Sequence, residues 1–583
     1  MTIETQYGTP QFPTVEGGIS ASTRESMDEA IGELQARKDA WVGVGIRERV
    51  ALLDQLTQGF VALAERWVTA CIQAKGIATN SPLAGEEWAA STWPVVRNLR
   101  QLRQSLLDIE AQGHPRIPGP VTTRANGQVV AQVFPLTGYD RLFLAGVTAE
   151  TWMEPGVTVE GLPRTQGLIY QDKQHAGKVS LVLGAGNQAS IGPMDILYKL
   201  FVEDQVVLFK ANPVNAYLGP LIAESFHALV EAGYLRIVYG GAEEGAYLCN
   251  HQGIEEIHIT GSDKTFDAIV FGAGPQGAAR KAARQPLLHK RITGELGNVS
   301  PVIVVPGPWS ASDLAYQAEH IVSMLTNNAG FNCNATRVVI QHSQWNQRDQ
   351  LLGHVHRLLA HIPPRHAYYP GARQRHQAFI AAHPEAEQFG TSSGQQLPWA
   401  MISGVDPARV DDICFTTEAF CGLFAETTLA AATIPAYIDR AVAFANEQLW
   451  GTLNATILVH PRSLKDPAVR QAIERALENL RYGTIGLNYW AGIGFVLTVT
   501  PWGAYPGHEL YDIQSGTGFV HNSLLFSRPQ KSVIRAPFRG FPKPIWFVTR
   551  AKAAVTVSAR LTAFEAAPSP RKLPAIVGPA MMG

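Results

Sequence analysis

Near the start of the chain, apolar residues recur every three or four positions, which predicts amphipathic helix over residues 23–78. The apolar stripe consists of Leu52, Leu53, Leu56, Phe60, Leu63 and Trp67. A second helical stretch is predicted over residues 86–109, and three prolines between positions 115 and 120 end it. Residues 1–20 are rich in Gly, Pro and Thr and are predicted to form an arm.

Beyond residue 178, short apolar runs alternate with helical stretches. In a first region, strands are predicted at 179–183, 206–209, 237–239 and 256–260. In a second region, strands are predicted at 302–305, 337–341, 423–426, 455–459 and 483–488. Alternation of strand and helix at this spacing indicates parallel sheets with helical crossovers. We therefore predict an α/β protein with two open, doubly wound α/β domains.

Two segments do not fit this alternation. Residues 121–178 mix polar and apolar positions with several glycines, which predicts strands and loops in an extension of the main body. The chain after residue 527 contains a strand-like stretch at 545–549, and residues 561–583 are predicted to form a flexible, Pro/Ala-rich tail.

Composition narrows the functional class. The chain has 583 residues, 46% hydrophobic and 17% charged, so it can bury large cores and is not predicted to be disordered. A net charge of -1 argues against nucleic acid or an anionic membrane as a partner. The sequence contains no run of the ~18 apolar residues that a membrane-spanning helix needs, so no membrane span is predicted. With no apparent signal peptide, we expect a cytoplasmic enzyme.

The number and spacing of the cysteines also limit the kinds of site that the chain can contain. The five cysteines are odd in number and form no CxxC pair, which argues against a disulfide framework or structural zinc site, and no metal is predicted. Cys333 differs from the other four because polar residues flank it in the segment TNNAGFNCNA. Glu295 lies among glycines in TGELGNVSP, directly before an apolar strand. These two residues are the leading candidates for chemistry.

Glycine patterns typical of dinucleotide binding occur twice. Residues 272–277 match GxGxxG, and residues 184–189 match the looser form that ends in Ala. The ribose-binding acidic residue is missing from both, and Lys210 ends the strand that follows the 184–189 pattern. Each is therefore either a Rossmann fingerprint or, as we favour, a turn or helix boundary. The GTSSG at 390–394 matches a hydrolase elbow by letters only, since no strand precedes it.

Several motifs, in order between residues 179 and 505, resemble the aldehyde dehydrogenase superfamily. GELGNVSP is similar to the family's glutamate motif and FNCNA to its cysteine motif. TEAFCG at 417–422 resembles its Glu-x-Phe-Gly motif, with Cys421 inserted. The remaining similarities are TGS at 260–262, Lys210 at a strand end, Asn187 at 23 positions before that lysine, and GTIGLN at 483–488 followed by PWGAY.

The resemblance implies oxidation of an aldehyde to a carboxylic acid through a thiohemiacetal and a thioester on the cysteine, with NAD or NADP as cofactor. The implied catalytic residues are Cys333 as nucleophile, Glu295 as general base and Asn187 as oxyanion donor. The implied cofactor-binding residues are Lys210, Gly261, Ser262, Leu296, Glu418 and Phe420. Candidate substrate residues are Asn488, Tyr489 and Trp490.

Departures from the family pattern leave alternatives open. Asn298 replaces a second glycine, and Pro213 stands where a carboxylate commonly follows the cofactor lysine, so NADP use is a live hypothesis. A coenzyme-A-acylating member of the family and a catalytically silent scaffold are the rival functions. Lys210 is alternatively a plain strand-end lysine and Asn187 a turn residue, and the aromatic candidates are alternatively core residues.

The resemblance also implies a domain organisation. Residues 1–120 and 179–296 are expected to form the NAD(P)-binding domain, and residues 297–525 the catalytic domain. Residues 121–178 and 526–560 are expected to form a bridging element that mediates oligomerisation. A homodimer or homotetramer acting on a small-molecule aldehyde is therefore expected.

Overall fold

The computed structural model describes residues 18–172, 174–391 and 394–582. Most of the predicted N-terminal arm, and Ser392 and Ser393 of the discarded GTSSG pattern, lie outside the described residues. In the described ranges, no helix combines the length and the apolarity needed to cross a bilayer.

The strands over these ranges are short, and most lie in the two predicted α/β regions. They are β1 (Val121–Thr123), β2 (Val129–Phe134), β3 (Thr148–Met153), β4 (Val179–Leu183), β5 (Val206–Lys210), β6 (Leu235–Val238), β7 (Glu256–Gly261), β8 (Arg291–Leu296), β9 (Pro301–Val304), β10 (Val338–His342), β11 (Arg365–His366), β12 (Glu387–Phe389), β13 (Gln396–Leu397), β14 (Trp399–Val405), β15 (Leu423–Leu429), β16 (Asn454–Leu458), β17 (Thr484–Leu487), β18 (Trp502–Gly503), β19 (Phe519–His521) and β20 (Pro529–Arg535).

Helices begin and end the described chain and connect the strands. They are α1 (Arg24–Gly43), α2 (Ile46–Ala74), α3 (Ala84–Glu87), α4 (Trp93–Gln112), α5 (Gly138–Phe143), α6 (Leu168–Gln171), α7 (Ile191–Phe201), α8 (Gly219–Ser225), α9 (His227–Glu231), α10 (Ala242–Asn250), α11 (Asp263–Phe271), α12 (Gly274–Ala282), α13 (Ala311–Thr326), α14 (Arg348–His361), α15 (Ala372–Ala382), α16 (Ile413–Thr416), α17 (Ile434–Gln448), α18 (Pro467–Asn479), α19 (Ile493–Leu497), α20 (Ala551–Ala566) and α21 (Leu573–Met582).

The first α/β region forms a parallel sheet in the order β6-β5-β4-β7-β8. All five residues of β4 and of β5 are buried, as expected for central strands covered on both faces. The chain runs outward from β4 through β5 to β6 and then returns to the other side of β4 at β7. This reversal makes a switch point between β4 and β7, where ligands of open α/β sheets bind at the carboxyl ends of the strands.

The second region forms a longer sheet in the order β1-β2-β3-β20-β17-β16-β9-β10-β15-β14-β12 over the described residues. The strands from β20 to β14 are parallel, while β1, β2, β3 and β12 pair antiparallel at the two ends. The extension at residues 121–178 therefore adds strands directly to the second sheet through β3 and β20. The predicted α/β class with a strand-rich extension is confirmed.

Two local predictions need correction. Residues 545–549, predicted to be strand-like, contain no strand and lead into a short 3-10 helix at Val548–Arg550. The tail predicted to be flexible is helical in α20 and α21, because its apolar residues, among them Leu561, Phe564 and Ile576, are buried in a small core that also includes Trp93 of α4. The 272–277 glycine pattern lies where α11 ends and α12 begins, so the favoured prediction of a turn or helix boundary is confirmed.

Candidate active site

The carboxyl ends of β4, β7 and β8 bring three predicted site segments together. Asn187 follows β4, Ser262 follows β7 at the N-terminus of α11, and Glu295 and Leu296 end β8. Because parallel strands present their carboxyl ends at one edge, these residues line one cleft at the switch point. Sequence motifs more than a hundred residues apart thereby share a surface.

The loop that carries Cys333 has an unusual backbone conformation. It begins at the end of α13, and Asn328, Ala329 and Gly330 all have positive φ values of 52°, 55° and 83°. At Gly330 a Cβ atom would lie 2.6 Å from the backbone of Cys421, so only glycine fits there. Strain of this kind persists only where the surroundings determine it, and it fixes the direction in which Cys333 leaves the loop.

The buried guanidinium of Arg337 connects the cysteine loop with the loop that carries Glu418. Its Nη2 donates to the carbonyl of Gly330 at 2.6 Å, and its Nη1 donates to the carbonyl of Cys421 at 2.6 Å. These loops precede β10 and β15, which are parallel neighbours, so they lie at the same edge of the second sheet. Arg337 therefore holds two loops together by the fork geometry of one side chain.

Cys333 and Glu295 lie in contact across the boundary between the two sheets. The Sγ of Cys333 lies 3.7 Å from Oε1 of Glu295, and the indole Nε1 of Trp502 donates to the same Oε1 at 3.0 Å. Burial raises the pKa of Glu295 to about 8, because desolvation disfavours the carboxylate more than the Trp502 hydrogen bond favours it. Burial and the neighbouring Glu295 raise the pKa of Cys333 well above its usual value.

Asn187 lies beside Cys333 and is held by the cysteine loop. Its side-chain Nδ2 donates to the backbone carbonyl of Phe331 at 3.0 Å. The backbone carbonyl of Asn187 accepts from Asn328 Nδ2 at 3.0 Å and from the Tyr368 hydroxyl at 2.9 Å. These bonds fix the position of the side-chain amide at the cleft, and the second hydrogen of Nδ2 is left to donate to an oxygen bound there.

Two clefts meet at the catalytic candidates. Asn187, Ile191, Glu295 and Cys333 line both of them. The first is the more polar, and the predicted cofactor residues Gly261, Ser262, Leu296, Glu418 and Phe420 also line it. The second is mainly apolar and is lined by Trp93, Trp490, Phe495, Trp502, Ile545 and Trp546, among others. A thiol and a carboxyl group therefore lie at the junction of a polar cleft and an apolar one.

Glu418 is positioned to accept hydrogen bonds from a ligand in the polar cleft. Its Oε1 is buried and has no hydrogen-bond partner in the described structure. Burial raises the pKa of Glu418 to about 8, although Arg337 opposes this shift. An unpaired buried carboxyl oxygen is unfavourable unless a ligand satisfies it. The hydroxyl groups of a nucleotide ribose are donors of the required kind.

Lys210 lies outside both clefts. It ends β5, and its Nζ donates to the carbonyl of Gly240 at 2.5 Å. Burial lowers the pKa of this ammonium group to about 8. Its predicted contact with the adenosine ribose stays a prediction.

The three substrate candidates lie in different places. Trp490 lines the apolar cleft, and its Nε1 donates to the carbonyl of Asn334 at 2.7 Å. Tyr489 lines a second apolar cavity, which adjoins the apolar cleft. Asn488 lines neither cleft. Its Oδ1 accepts from the backbone N–H of Val459 at 2.8 Å and stabilises a turn in which Asn488 itself has a φ of 60°. The predicted substrate contact of Asn488 therefore has no support from its position.

Some site residues were missed in the sequence. Tyr369 lines the polar cleft and packs against Phe420 with ring centroids 4.9 Å apart. Trp502 is part of the PWGAY segment, and its bond to Glu295 joins positions 207 residues apart. No local pattern marks either residue, because each reaches the site through long-range folding.

Comparisons with known proteins agree with this geometry. Residues 201–363, which include Ser262, Glu295 and Cys333, match the aldehyde dehydrogenase family model. An N-succinylglutamate 5-semialdehyde dehydrogenase from Novosphingobium aromaticivorans is 30% identical over 186 residues, covering 32% of this chain and 36% of the relative. A 4-trimethylaminobutyraldehyde dehydrogenase A from Danio rerio is 30% identical over 136 residues, covering 23% and 24%. The matches therefore span about a quarter to a third of these relatives.

Solved structures share the fold over most of the chain. A mutant of aldehyde dehydrogenase C from Pseudomonas syringae, in complex with NAD+ and octanal, has a TM-score of 0.59 at 19% identity, covering 89% of this chain and 90% of that one. An NADP-dependent glyceraldehyde-3-phosphate dehydrogenase from Bacillus halodurans, complexed with NADP, has a TM-score of 0.55 at 19% identity, covering 88% and 92%. The family model and the curated relatives thus match the central part of this chain, and solved aldehyde dehydrogenases share its fold over most of its length.

Proposed function

We propose that the protein oxidises an aldehyde to a carboxylic acid with NAD or NADP, using Cys333 as nucleophile and Glu295 as general base. The observation that carries this proposal is the 3.7 Å contact between the thiol and the carboxyl group where the two clefts meet. A thiol in the family's cysteine motif can bond to a substrate carbon arriving from the apolar cleft. The polar cleft on the other side suits a dinucleotide.

The first step is attack of the sulfur on the aldehyde carbon. Ionised Glu295 takes the thiol proton, the S–C bond forms, and the carbonyl π electrons move to oxygen. This proton transfer is required because the pKa of Cys333 is raised and few thiols would ionise unaided. The second Nδ2 hydrogen of Asn187 and the backbone N–H of Cys333 are proposed to stabilise the oxyanion, and one such donor contributes ~2.7–4 kcal/mol in comparable sites.

The residues of the polar cleft fit a nicotinamide dinucleotide. The unpartnered Glu418 Oε1 would accept from a ribose hydroxyl, and Gly261 and Ser262 at the start of α11 would face the pyrophosphate. Phe420 and Leu296 would pack beside the nicotinamide. When bound, NAD or NADP supplies a hydride acceptor for the aldehyde carbon.

The thioester left on Cys333 must react with water. Before this step Glu295 releases the proton that it took from the thiol to solvent and so becomes a carboxylate again. It then removes a proton from the water as the water oxygen attacks the acyl carbon, the C–S bond breaks, and the proton now held by Glu295 passes to the thiolate. The carboxylic acid leaves and the free thiol is restored. The presence of Glu295 favours this hydrolysis over transfer of the acyl group to coenzyme A.

Pro213 bears on the choice of cofactor. It follows Lys210 by three residues and brings no negative charge to the end of β5. A 2′-phosphate on the adenosine ribose would therefore meet less repulsion here than beside a carboxylate. We propose that the protein accepts NADP, and comparing kcat/KM for the two cofactors tests this.

An aldehyde panel, followed by absorbance of the reduced cofactor, tests the proposal. We expect oxidation that does not require coenzyme A, and complete loss of oxidation in Cys333→Ala. Cys249→Ala is a matched control, because Cys249 is a buried thiol outside both clefts. An obligatory need for coenzyme A, or full activity of the Cys333 variant, would refute the assignment.

The domain roles are also proposed. We propose that residues 121–178 and 526–560 mediate oligomerisation, because β1 at the end of the second sheet is paired on one side only over the described residues. An unpaired edge is available for strand addition by a second copy. The molar mass in solution, measured by light scattering, should correspond to a homodimer or homotetramer.

A further inference from the structure

A second apolar cavity lies outside the apolar cleft and touches it. This outer cavity has a volume of about 310 Å³ and is walled by α5, the segment 537–546, α20 and α21. Five side chains line both the apolar cleft and the outer cavity: Trp93, Ile493, Val496, Ile545 and Trp546. Apolar space therefore extends from Cys333 to the C-terminal helices.

The chemistry of the outer cavity is that of a hydrocarbon site. Lys543 is the one charged residue among the described residues that line it, and its Nζ donates to Glu319 Oε2 at 2.7 Å. The other lining residues are apolar or aromatic, apart from a glycine. With its one charge already paired, the cavity has little to offer a charged or strongly polar group.

The rim of the cavity carries apolar side chains in contact with solvent. Leu142, Phe541 and Met581 are 46%, 78% and 50% exposed and all line the cavity. Their exposure is unfavourable in water, whereas contact with a hydrocarbon chain would remove them from it. They provide an apolar opening by which such a chain reaches the interior.

The cavity wall is anchored by buried ion pairs. Glu565 of α20 accepts from Arg97 Nη1 at 2.6 Å and from Arg100 Nη2 at 2.5 Å, and also from the indole Nε1 of Trp93 at 3.3 Å. Trp93 lies at the boundary between the apolar cleft and the outer cavity. Glu565 thus ties α20 to α4, and the same carboxylate holds Trp93 at the boundary between the apolar cleft and the outer cavity.

We infer that the outer cavity holds the hydrocarbon tail of a long-chain aliphatic aldehyde whose carbonyl carbon lies at Cys333. The inference rests on the proposed function, because it places the reacting carbon at that thiol. Continuity with the cleft at Cys333 favours a substrate tail over a protein partner. At ~30 Å³ per water-sized group, the outer cavity has room for about ten methylene-sized groups.

The test is a series of straight-chain aldehydes from butanal to dodecanal. Each buried methylene should raise kcat/KM about fourfold until the cavity is full. Ala580→Trp, which fills the outer cavity, should lower the ratio of kcat/KM for decanal to that for butanal at least tenfold. Ala563→Trp is the matched control, because Ala563 lies exposed on α20 outside the cavity and should leave the ratio unchanged.

A binding measurement separates this inference from the proposed function. Calorimetry with 1-decanol and no cofactor should show binding to the wild type and to Ala563→Trp, and at least tenfold weaker binding to Ala580→Trp. Oxidation of butanal with no gain for longer chains would overturn the inference and leave the proposed function standing. Decanol binding without oxidation of any aldehyde would refute the proposed function, and with it an aldehyde as the occupant, while showing that the cavity binds a hydrocarbon chain.

Two further outcomes bear on the inference. If Ala580→Trp does not fold, Val577→Trp replaces it, because Val577 lines the same cavity from α21. If decanol does not bind and the Ala580 substitution instead changes the molar mass in solution, a second copy of the chain covers the cavity and the inference is wrong.

Discussion

Replacing Trp502 with Phe isolates the hydrogen bond that stabilises the Glu295 carboxylate. The indole Nε1 donates to Oε1 at 3.0 Å, and phenylalanine retains an aromatic ring without the donor. Because Glu295 is buried and its pKa is already raised to about 8, the lost bond leaves the carboxylate with less compensation for desolvation. We expect the pKa of Glu295 to rise further.

The size of the shift follows from the strength of the bond. A hydrogen bond to a charged group contributes ~1.5–3 kcal/mol, and one pKa unit corresponds to about 1.4 kcal/mol. The pKa of Glu295 should therefore move from about 8 to roughly 9–10. The general base acts when ionised, so activity rises with pH through its pKa. At pH 7.5 the variant should be about tenfold to a hundredfold slower, and most of the deficit should disappear near pH 10.

The assay is the dependence of kcat on pH for one aldehyde, followed by absorbance of the reduced cofactor. Trp309→Phe is the matched control, because its buried indole lies outside both clefts and its Nε1 has no hydrogen-bond partner in the described structure. A Trp502→Phe profile with the wild-type midpoint would show that this hydrogen bond does not tune the base.

Three further predictions concern the buried charged groups Glu418, Arg337 and Glu565. Glu418→Gln should raise the KM for the cofactor about tenfold or more with a smaller change in the KM for the aldehyde, because the amide is a weaker acceptor for a ribose hydroxyl; equal cofactor affinity by fluorescence titration would contradict this. Arg337→Lys should lower kcat about tenfold, since lysine keeps the charge but cannot bridge the Gly330 and Cys421 carbonyls; circular dichroism checks that the fold is retained. Glu565→Gln should reduce the free energy of unfolding by ~3–5 kcal/mol, measured with urea, because it removes one of the two carboxylates that pair with the buried Arg97, the other being Asp140, and an unchanged midpoint would count against that role.

The sequence alone determined the class of fold and the resemblance to a family. Strand–helix alternation from β4 onward depends on local periodicity, and most of the predicted strands in the two regions lie within a few residues of their predicted positions. The α/β class is confirmed, and residues 201–363 match the aldehyde dehydrogenase family model. The roles of Cys333, Glu295 and Glu418 stay predictions, although the fold places all three around the polar cleft.

Errors arose where a local pattern has more than one structural outcome. The apolar run at 545–549 was predicted to be a strand, but it lies against other apolar residues without a strand partner. The C-terminal residues have a composition common to flexible tails, yet Ile576 and Phe564 are buried because α20 packs on α4. The substrate role of Asn488 stays a prediction, although its side chain caps a turn and lines neither cleft.

Only the tertiary structure decided the environment of the candidate residues. A short motif specifies which functional groups are present, whereas the pKa of Glu295, the partner of its oxygen and the apolar space beyond Cys333 depend on side chains from distant segments. Desolvation and electrostatic interactions act through distance in space and not along the chain. For this reason a chemical group can be found in the sequence, while its reactivity and the substrate that it meets are set by the packed fold.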